Sequence, residues 1–247
     1  MCNKPDHGPS GDGAGTITAA VRSLLPNHPV CTEALVLAKA SLPASVLYHS
    51  IRVYFYAQAF MTIFQDSGPA DTSAGTADDV PTPGCVARAD PHVLFVACIL
   101  HDIGTTSTYD SVPERFEVVS ADVAARLLRT HGIPEPAVRD AWLAMSLHTS
   151  PGVAERLGGT VRALRLAVRA DFGSYPQPPA NDLPGGAEGM KLIRWQLPRL
   201  EIEKELGDAV ANQAISEPQK APKASWPGDL VRAKKADPGW EGVNKGF

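Results

Sequence analysis

The chain has 247 residues, of which 44% are hydrophobic, and this is enough to bury the core of one large domain or two small ones. Its net charge of −4 gives no indication of a surface that would bind nucleic acids or anionic membranes. The four cysteines are scattered without a CxxC pair, which favours a reducing compartment over a secreted disulfide framework.

The first half of the chain predicts a tail, two helices and a loop. Residues 1–15 are rich in glycine, proline and charge, so we expect a disordered N-terminal tail. Residues 32–42 and 44–64 carry apolar side chains at helical spacing, and Pro43 separates the two predicted helices. Residues 66–90 are turn-forming and acidic, which predicts a long surface loop.

The middle of the chain predicts four more helices. Pro91 is a suitable first residue for a buried helix that contains the uninterrupted apolar run at 93–100. Further helices are predicted at 113–132, 135–150 and 160–173 from their apolar spacing and terminal residues. Because strand patterns are nearly absent, these elements together predict an all-α fold.

The sequence changes character after residue 175. Residues 176–247 are rich in proline, lysine and tryptophan, with one helical stretch near 200–215. Such a segment cannot build a core of its own, so we expect a C-terminal extension that wraps the helical domain of residues 16–175. Its expected apolar anchors are Trp195, Trp226 and Trp240.

Histidine and aspartate side chains occur at the ends or in the middle of several predicted helices. They are His49, the adjacent pair His101 and Asp102, His148 and Asp171. A catalytic metal takes a few imidazole and carboxylate ligands and leaves a position for water. Neighbouring helical residues point about 100° apart, so His101 and Asp102 can meet one ion only where their helix ends, and Gly104 favours such an end.

The ordered motifs resemble the HD-domain superfamily of metal-dependent hydrolases, and within it the fungal cyanamide hydratase-like branch. The resembling stretches are HSIRVYFYA, ACILHDIGTT, RFEVVSADVAARLLRTHG, AMSLHTS and LAVRADFGSY, which together cover about residues 40–175. The resemblance implies an HD-domain helical bundle with one divalent metal ion. The ligands that it implies are His49, His101, Asp102 and Asp171.

The resemblance also implies roles around the metal. The expected catalytic residues are His148 and Glu117, for proton transfer, together with Asp102. For His148, core packing and ligation of a second ion remain alternatives. The expected substrate-binding residues are Arg52, Thr105 and Thr106. The loop at 66–90 and the segment beyond 175 match the family poorly, which leaves the substrate less defined than the metal.

The implied reaction is the hydration of a small nitrile-type substrate, cyanamide to urea, by water that the metal activates. Zinc is the expected ion, and iron or manganese would accept the same mixed nitrogen and oxygen ligands. An HD-type phosphohydrolase acting on a nucleotide or another phosphate ester is the alternative, since Arg52 and Arg115 are cations near the motifs. A non-catalytic or oxidative protein built on the HD scaffold is a second alternative.

The expected partner is a small-molecule substrate, without nucleic acid or membrane, and a homo-oligomer is left open. The N-terminus lacks the apolar region of a signal peptide, and no apolar run approaches the about 20 residues that cross a bilayer. We therefore expect a cytoplasmic location.

Overall fold

The computed structural model describes residues 16–66, 90–237 and 239–240, which form ten α-helices and no strand. The predicted all-α fold is confirmed. The helices are α1 (Ala19–Arg22), α2 (Pro29–Ser41), α3 (Ala44–Asp66), α4 (Pro91–Leu100), α5 (Phe116–Thr130), α6 (Glu135–Leu147), α7 (Gly159–Asp171), α8 (Gly186–Gln196), α9 (Ile202–Ser216) and α10 (Trp226–Ala236). The predictions for residues 1–15 and for 67–89 of the loop lie outside the described residues.

The most apolar helix, α4, lies at the centre of the bundle. Every residue from Val93 to Leu100 is buried, and the helix packs against α2, α3, α5 and α6. Asp90 caps its N-terminus by accepting a hydrogen bond from the backbone N–H of His92 at 2.8 Å. A helix without a polar face can be accommodated only in the middle of a bundle. The two residues that follow it, His101 and Asp102, are therefore delivered into the interior.

Two pairs of helices surround α4. The most extensive packing is between α3 and α7 and between α5 and α6, and α6 also packs against α7. The predicted boundaries are close to these helices, although α2 begins three residues earlier than predicted, at Pro29. Helix α5 begins at Phe116 rather than at residue 113, because the preceding Arg115 has an extended backbone with ψ of 146°.

The extension beyond residue 175 contains helices that the sequence pattern did not predict. Helix α8 lies in a glycine-rich stretch, and α10 in the segment rich in proline and lysine. A start signal for α10 is nevertheless present, because the Ser225 hydroxyl accepts a hydrogen bond from the Gly228 N–H at 3.2 Å and Pro227 occupies the first turn.

The extension packs onto the helical body through α9. This helix contacts α3 and the turn that follows α4, and α10 packs on α9. Trp226 is buried and lies against the Phe116 ring, with 5.8 Å between centroids, and Trp240 is partly buried against the core. Trp195 is 63% exposed, so the prediction that it anchors the extension is wrong. Among the described residues, no helix has the length and apolar character that a bilayer span requires.

Gly104 lies where the turn after α4 touches α5. Its N–H donates to the Ser120 hydroxyl at 2.8 Å, and a Cβ at this position would lie 2.3 Å from the Phe116 carbonyl oxygen. A backbone carbonyl cannot retreat without moving its helix. We therefore expect Gly104→Ala to lower the free energy of unfolding by about 3 kcal/mol in urea denaturation.

The matched control is Gly132→Ala. Gly132 has a φ of +70° and no atom within 4 Å of an added Cβ, so the substitution brings only the cost of a left-handed backbone, about 1 kcal/mol. Equal losses in the two variants would show that the close approach of Gly104 to α5 is unimportant for stability.

Candidate metal centre

Four of the predicted site residues meet where helices end in the interior. His49 comes from the second turn of α3, His101 and Asp102 follow α4, and His148 follows α6, and each of the four is at most 1% exposed. Helix α7 also ends beside them, at Asp171. The C-terminal end of a helix carries partial negative charge, so the convergence of three such ends favours a cation between them.

Three donor atoms lie at the mutual distances of metal ligands. His49 Nε2 is 3.2 Å from His101 Nε2 and 3.8 Å from Asp102 Oδ2, and His101 Nε2 is 3.2 Å from the same oxygen. Ligands bound at about 2.0–2.1 Å to a tetrahedral ion are separated from one another by roughly 3.3 Å. His148 Nε2 lies beside this group, 3.7 Å from Asp102 Oδ1.

The backbone fixes the orientation of two of these imidazoles. His101 Nδ1 donates to the Cys98 carbonyl at 2.7 Å, and His148 Nδ1 donates to the Met145 carbonyl at 2.5 Å. A carbonyl oxygen only accepts, so Nδ1 carries the proton in both rings and a neutral ring has its lone pair on Nε2. Both histidines are the first residue after a helix and bond three residues back. Their Nε2 atoms are therefore directed to the centre by the way α4 and α6 end.

Burial disfavours the charged form of these two rings. Loss of solvent lowers the pKa of His101, although the neighbouring Asp102 carboxylate acts in the opposite direction. Burial, assisted by repulsion from His101, holds the pKa of His148 well below its usual range. Neutral imidazole is the form that binds metal ions and that accepts protons.

The Asp102 carboxylate lacks a partner for one of its atoms. Its Oδ2 is buried and accepts no hydrogen bond, although it lies beside the Nε2 atoms of His49 and His101. A buried carboxylate oxygen without a donor is costly. A divalent ion placed among these atoms would satisfy the oxygen and both imidazoles together. The donor set is one that Zn²⁺, Fe²⁺ and Mn²⁺ accept, so the residues fit the expected metal ion.

Asp171 contacts the Nδ1 edge of the His49 ring, whereas His101 and Asp102 lie at its Nε2 edge. Its Oδ2 accepts a hydrogen bond from His49 Nδ1 at 2.7 Å, and Arg52 donates to both of its oxygens, also at 2.7 Å. Burial alone would raise the pKa of Asp171, but the hydrogen bonds from Arg52 and His49 hold it well below its usual range. Direct coordination by Asp171, which the resemblance implied, is not what this geometry shows. The carboxylate instead orients the His49 ring.

Arg52 is engaged by groups of the protein itself, and its expected contact with a substrate stays a prediction. The side chain is 3% exposed, and besides its two bonds to Asp171 its Nη1 donates to the carbonyls of Leu197 and Pro198 at 3.0 and 3.2 Å. All three guanidinium nitrogens therefore make hydrogen bonds within the protein, and the side chain is buried. Arg52 ties the carboxylate behind His49 to the C-terminal extension.

A second arginine at the site, Arg199, comes from the C-terminal extension and was not predicted. Arg199 donates to the backbone carbonyl of Asp171, lies 3.4 Å from its Oδ2 and covers the Phe172 ring, which contacts the ring of His49. The next residue, Leu200, has a φ of +49°, which is rare for a side chain of this type. No local sequence signal marks this contact, because it depends on how the extension folds back.

Glu117 contacts Thr149, the residue after His148, and lies outside the three-donor group. Its buried Oε1 accepts hydrogen bonds from the Thr149 hydroxyl at 2.6 Å and from Arg115 Nη2 at 2.5 Å. The preceding Phe116 ring contacts the His148 ring, with 5.7 Å between centroids. The expected role of Glu117 in proton transfer stays a prediction, and its direct contacts are with a cation and a hydroxyl.

Thr105 and Thr106 close the turn after the metal-binding pair. The Thr105 hydroxyl donates to the Asp102 carbonyl at 2.8 Å, and the Thr106 hydroxyl donates to the Ile103 carbonyl at 2.9 Å. Thr105 also lines a cavity of about 240 Å³ together with Gln213 of α9. Contact of either threonine with a substrate stays a prediction.

Comparison with known proteins identifies the family of the chain. The model of the family described as HD domain matches residues 46–183, more than half of the chain, and this range includes the three donors and Asp171. A comparison with curated proteins finds no match. HD domains are generally those of metal-dependent hydrolases, and a buried group of two histidines and one aspartate that fits a divalent ion agrees with that chemistry. The chain belongs to the HD-domain family.

Proposed function

We propose that this protein adds water to a small nitrile-type substrate, converting cyanamide to urea, with a divalent ion held by His49, His101 and Asp102. Zinc is the ion we propose first, because imidazole and carboxylate are among its usual ligands. The choice of substrate rests on one observation, which is that the arginines around the site are paired with carboxylates of the protein.

These arginines are already paired with carboxylates. Arg52 binds Asp171, Arg115 binds Glu117, Arg165 binds Glu155, and Arg199 binds Asp171 and Glu203. A phosphate ester requires cations or other strong donors that are free to bind its oxygens. Within the part of the chain that the structure describes, the arginines contacting the site residues are committed to the protein itself. This pattern supports a substrate without a phosphate group.

Burial of the donors supports a small and neutral substrate. His49 and His101 are fully buried, and Asp102 and His148 are each 1% exposed. A charged substrate would have to lose its hydration shell to reach such a site, at a cost of several kcal/mol without a fixed counter-charge. A neutral linear molecule of a few atoms has no charge to desolvate and is small enough for a buried site.

When bound, the ion would lower the pKa of a water molecule toward neutrality and would polarise the nitrile. His148 is the residue we assign to proton transfer, because its Nε2 is directed toward Asp102 while its own proton is held on Nδ1 by the Met145 carbonyl. The water oxygen bonds to the nitrile carbon, and one C–N π bond opens. His148 Nε2 takes the water proton and returns it to the nitrile nitrogen. A second proton shift from oxygen to nitrogen gives urea, without an oxidant or a leaving group.

The activity test measures urea formed from cyanamide by the zinc-loaded protein. We expect His148→Gln to lower kcat by about 10²–10⁴-fold, because the proton relay is lost, while the bound zinc is retained. His131→Gln is the matched control, since His131 pairs with Glu33 on the surface at 2.8 Å and should leave kcat unchanged. Protein that binds zinc, releases phosphate from nucleotides and leaves cyanamide untouched would replace this proposal with a phosphohydrolase.

Asp102→Asn tests the metal site without using activity. An amide can donate to the neighbouring imidazole nitrogen, so the metal-free variant should be at least as stable to urea as the metal-free wild type. Its zinc affinity, measured by competition with a chromophoric chelator, should fall by about 100-fold or more because the anionic ligand is gone. A variant with wild-type zinc affinity would contradict coordination by Asp102.

Arg52→Lys tests the support behind His49. Lysine cannot bind both oxygens of Asp171 and the two carbonyls at once, so we expect zinc affinity to fall by about 10–100-fold in the same competition assay. Arg129→Lys is the matched control, because Arg129 makes a comparable two-point pair with Glu135 on the surface. Equal zinc affinities for the two variants would show that the pair behind His49 does not influence the metal.

A further inference from the structure

A second group of metal-ligand side chains lies at the opposite end of α4. It consists of His28 and Cys31 from the start of α2 and His92 from the start of α4, with one donor atom of each within 4.8 Å of the others. None of the three belongs to the centre around His101. A helix of ten residues rises by about 15 Å, so the two groups are well separated.

The donors of this second group are poorly satisfied within the protein. His28 Nδ1 is buried and has no hydrogen-bond partner. Cys31 is 1% exposed, and its free thiol has only long contacts, to His92 Nδ1 at 3.7 Å and to the His92 carbonyl at 3.9 Å. The rings of His28 and His92 stack with centroids 4.2 Å apart.

We propose that His28, Cys31 and His92 form a second metal site, for a borderline-soft divalent ion of the zinc class. Thiolate and imidazole are the preferred ligands of zinc, and its bond lengths place sulfur and nitrogen roughly 3.6 Å apart in tetrahedral geometry. The Cys31 Sγ to His92 Nδ1 distance of 3.7 Å agrees with this spacing. Three protein ligands leave one position for water. This inference is independent of the proposed hydratase activity.

The Cys31 thiol is protonated without an ion, because burial and then the nearby Asp90 carboxylate raise its pKa to about 12, against a smaller opposite effect of Arg22. An ion at this site would take the place of the thiol proton. The Asp90 carboxylate, which caps α4, offsets part of the charge of such a cation. His28 and His92 are both partly exposed, which gives the ion a route from solvent.

An ion at this site would join the N-terminal turns of two packed helices. Helices α2 and α4 already pack against one another, and His101 and Asp102 follow the far end of α4. A bond between Cys31 and His92 through the ion would fix the start of α4 and limit its movement along its axis. The second ion therefore has a structural role in supporting the helix that carries the first.

Titration of the metal-free protein with Co²⁺ tests this site directly. A thiolate bound to Co²⁺ gives a near-ultraviolet charge-transfer band, and the donors around His101 include no sulfur. We expect the band in the wild type and in His101→Ala, and its loss in Cys31→Ala and in His92→Gln. Cys98→Ala is the matched control, because Cys98 is the other buried free cysteine of the described residues and lies outside the group. Zinc analysis should give two ions per chain for the wild type and one for Cys31→Ala.

Two results would overturn the proposal: no charge-transfer band in the wild type at saturating Co²⁺, or a band of unchanged intensity in Cys31→Ala. Circular dichroism establishes whether each variant is folded. If Cys31→Ala does not fold, His92→Gln decides the matter, since a partly exposed ring can be replaced without opening the core. A band that persists in folded His92→Gln then counts against the site.

Discussion

The structure is organised around a buried carboxylate that lacks a hydrogen-bond donor. Asp102 Oδ2 lies in the centre of the bundle beside the Nε2 atoms of His49 and His101, and the backbone holds the ring proton of His101 on the opposite nitrogen. This arrangement is unfavourable by itself, because a buried carboxylate oxygen is left without a hydrogen bond. A divalent ion removes the conflict. The other features of the site can be understood as ways of keeping these atoms in place.

The supporting contacts come from parts of the chain that are far apart in sequence. His49 is held by Asp171, and Asp171 in turn is held by Arg52 from α3 and Arg199 from the extension. Outer contacts of this kind fix the tautomer and the orientation of a metal ligand. They also make the C-terminal extension part of the site. Its contribution is to immobilise a ligand, since its contacts are with the carboxylate and the guanidinium behind His49.

Helix α4 connects the two proposed sites. Its N-terminal turn carries His92 of the proposed second site, and the residues after its C-terminus are His101 and Asp102. Between them the helix is wholly apolar and fully buried, so it has no polar face that could exchange with solvent. Such a helix holds its two ends at a fixed distance. The C-terminal end of α4 also carries partial negative charge, which favours a cation beside His101 and Asp102.

The sequence by itself determined the helical class, most helices of residues 29–171, and the pairing of His101 with Asp102 at a helix end, because these follow from local periodicity and terminal residues. Helices α8 and α10 escaped prediction, since glycine and proline lower local helix propensity and packing on the body outweighs it. Only the tertiary structure decided that Asp171 meets the outer nitrogen of His49 and that Arg52 binds Asp171 and two backbone carbonyls of the extension. The spacing of residues in the sequence can assign each of them to a helix. Which nitrogen of the His49 ring Asp171 contacts is set by the packing of α3 on α7.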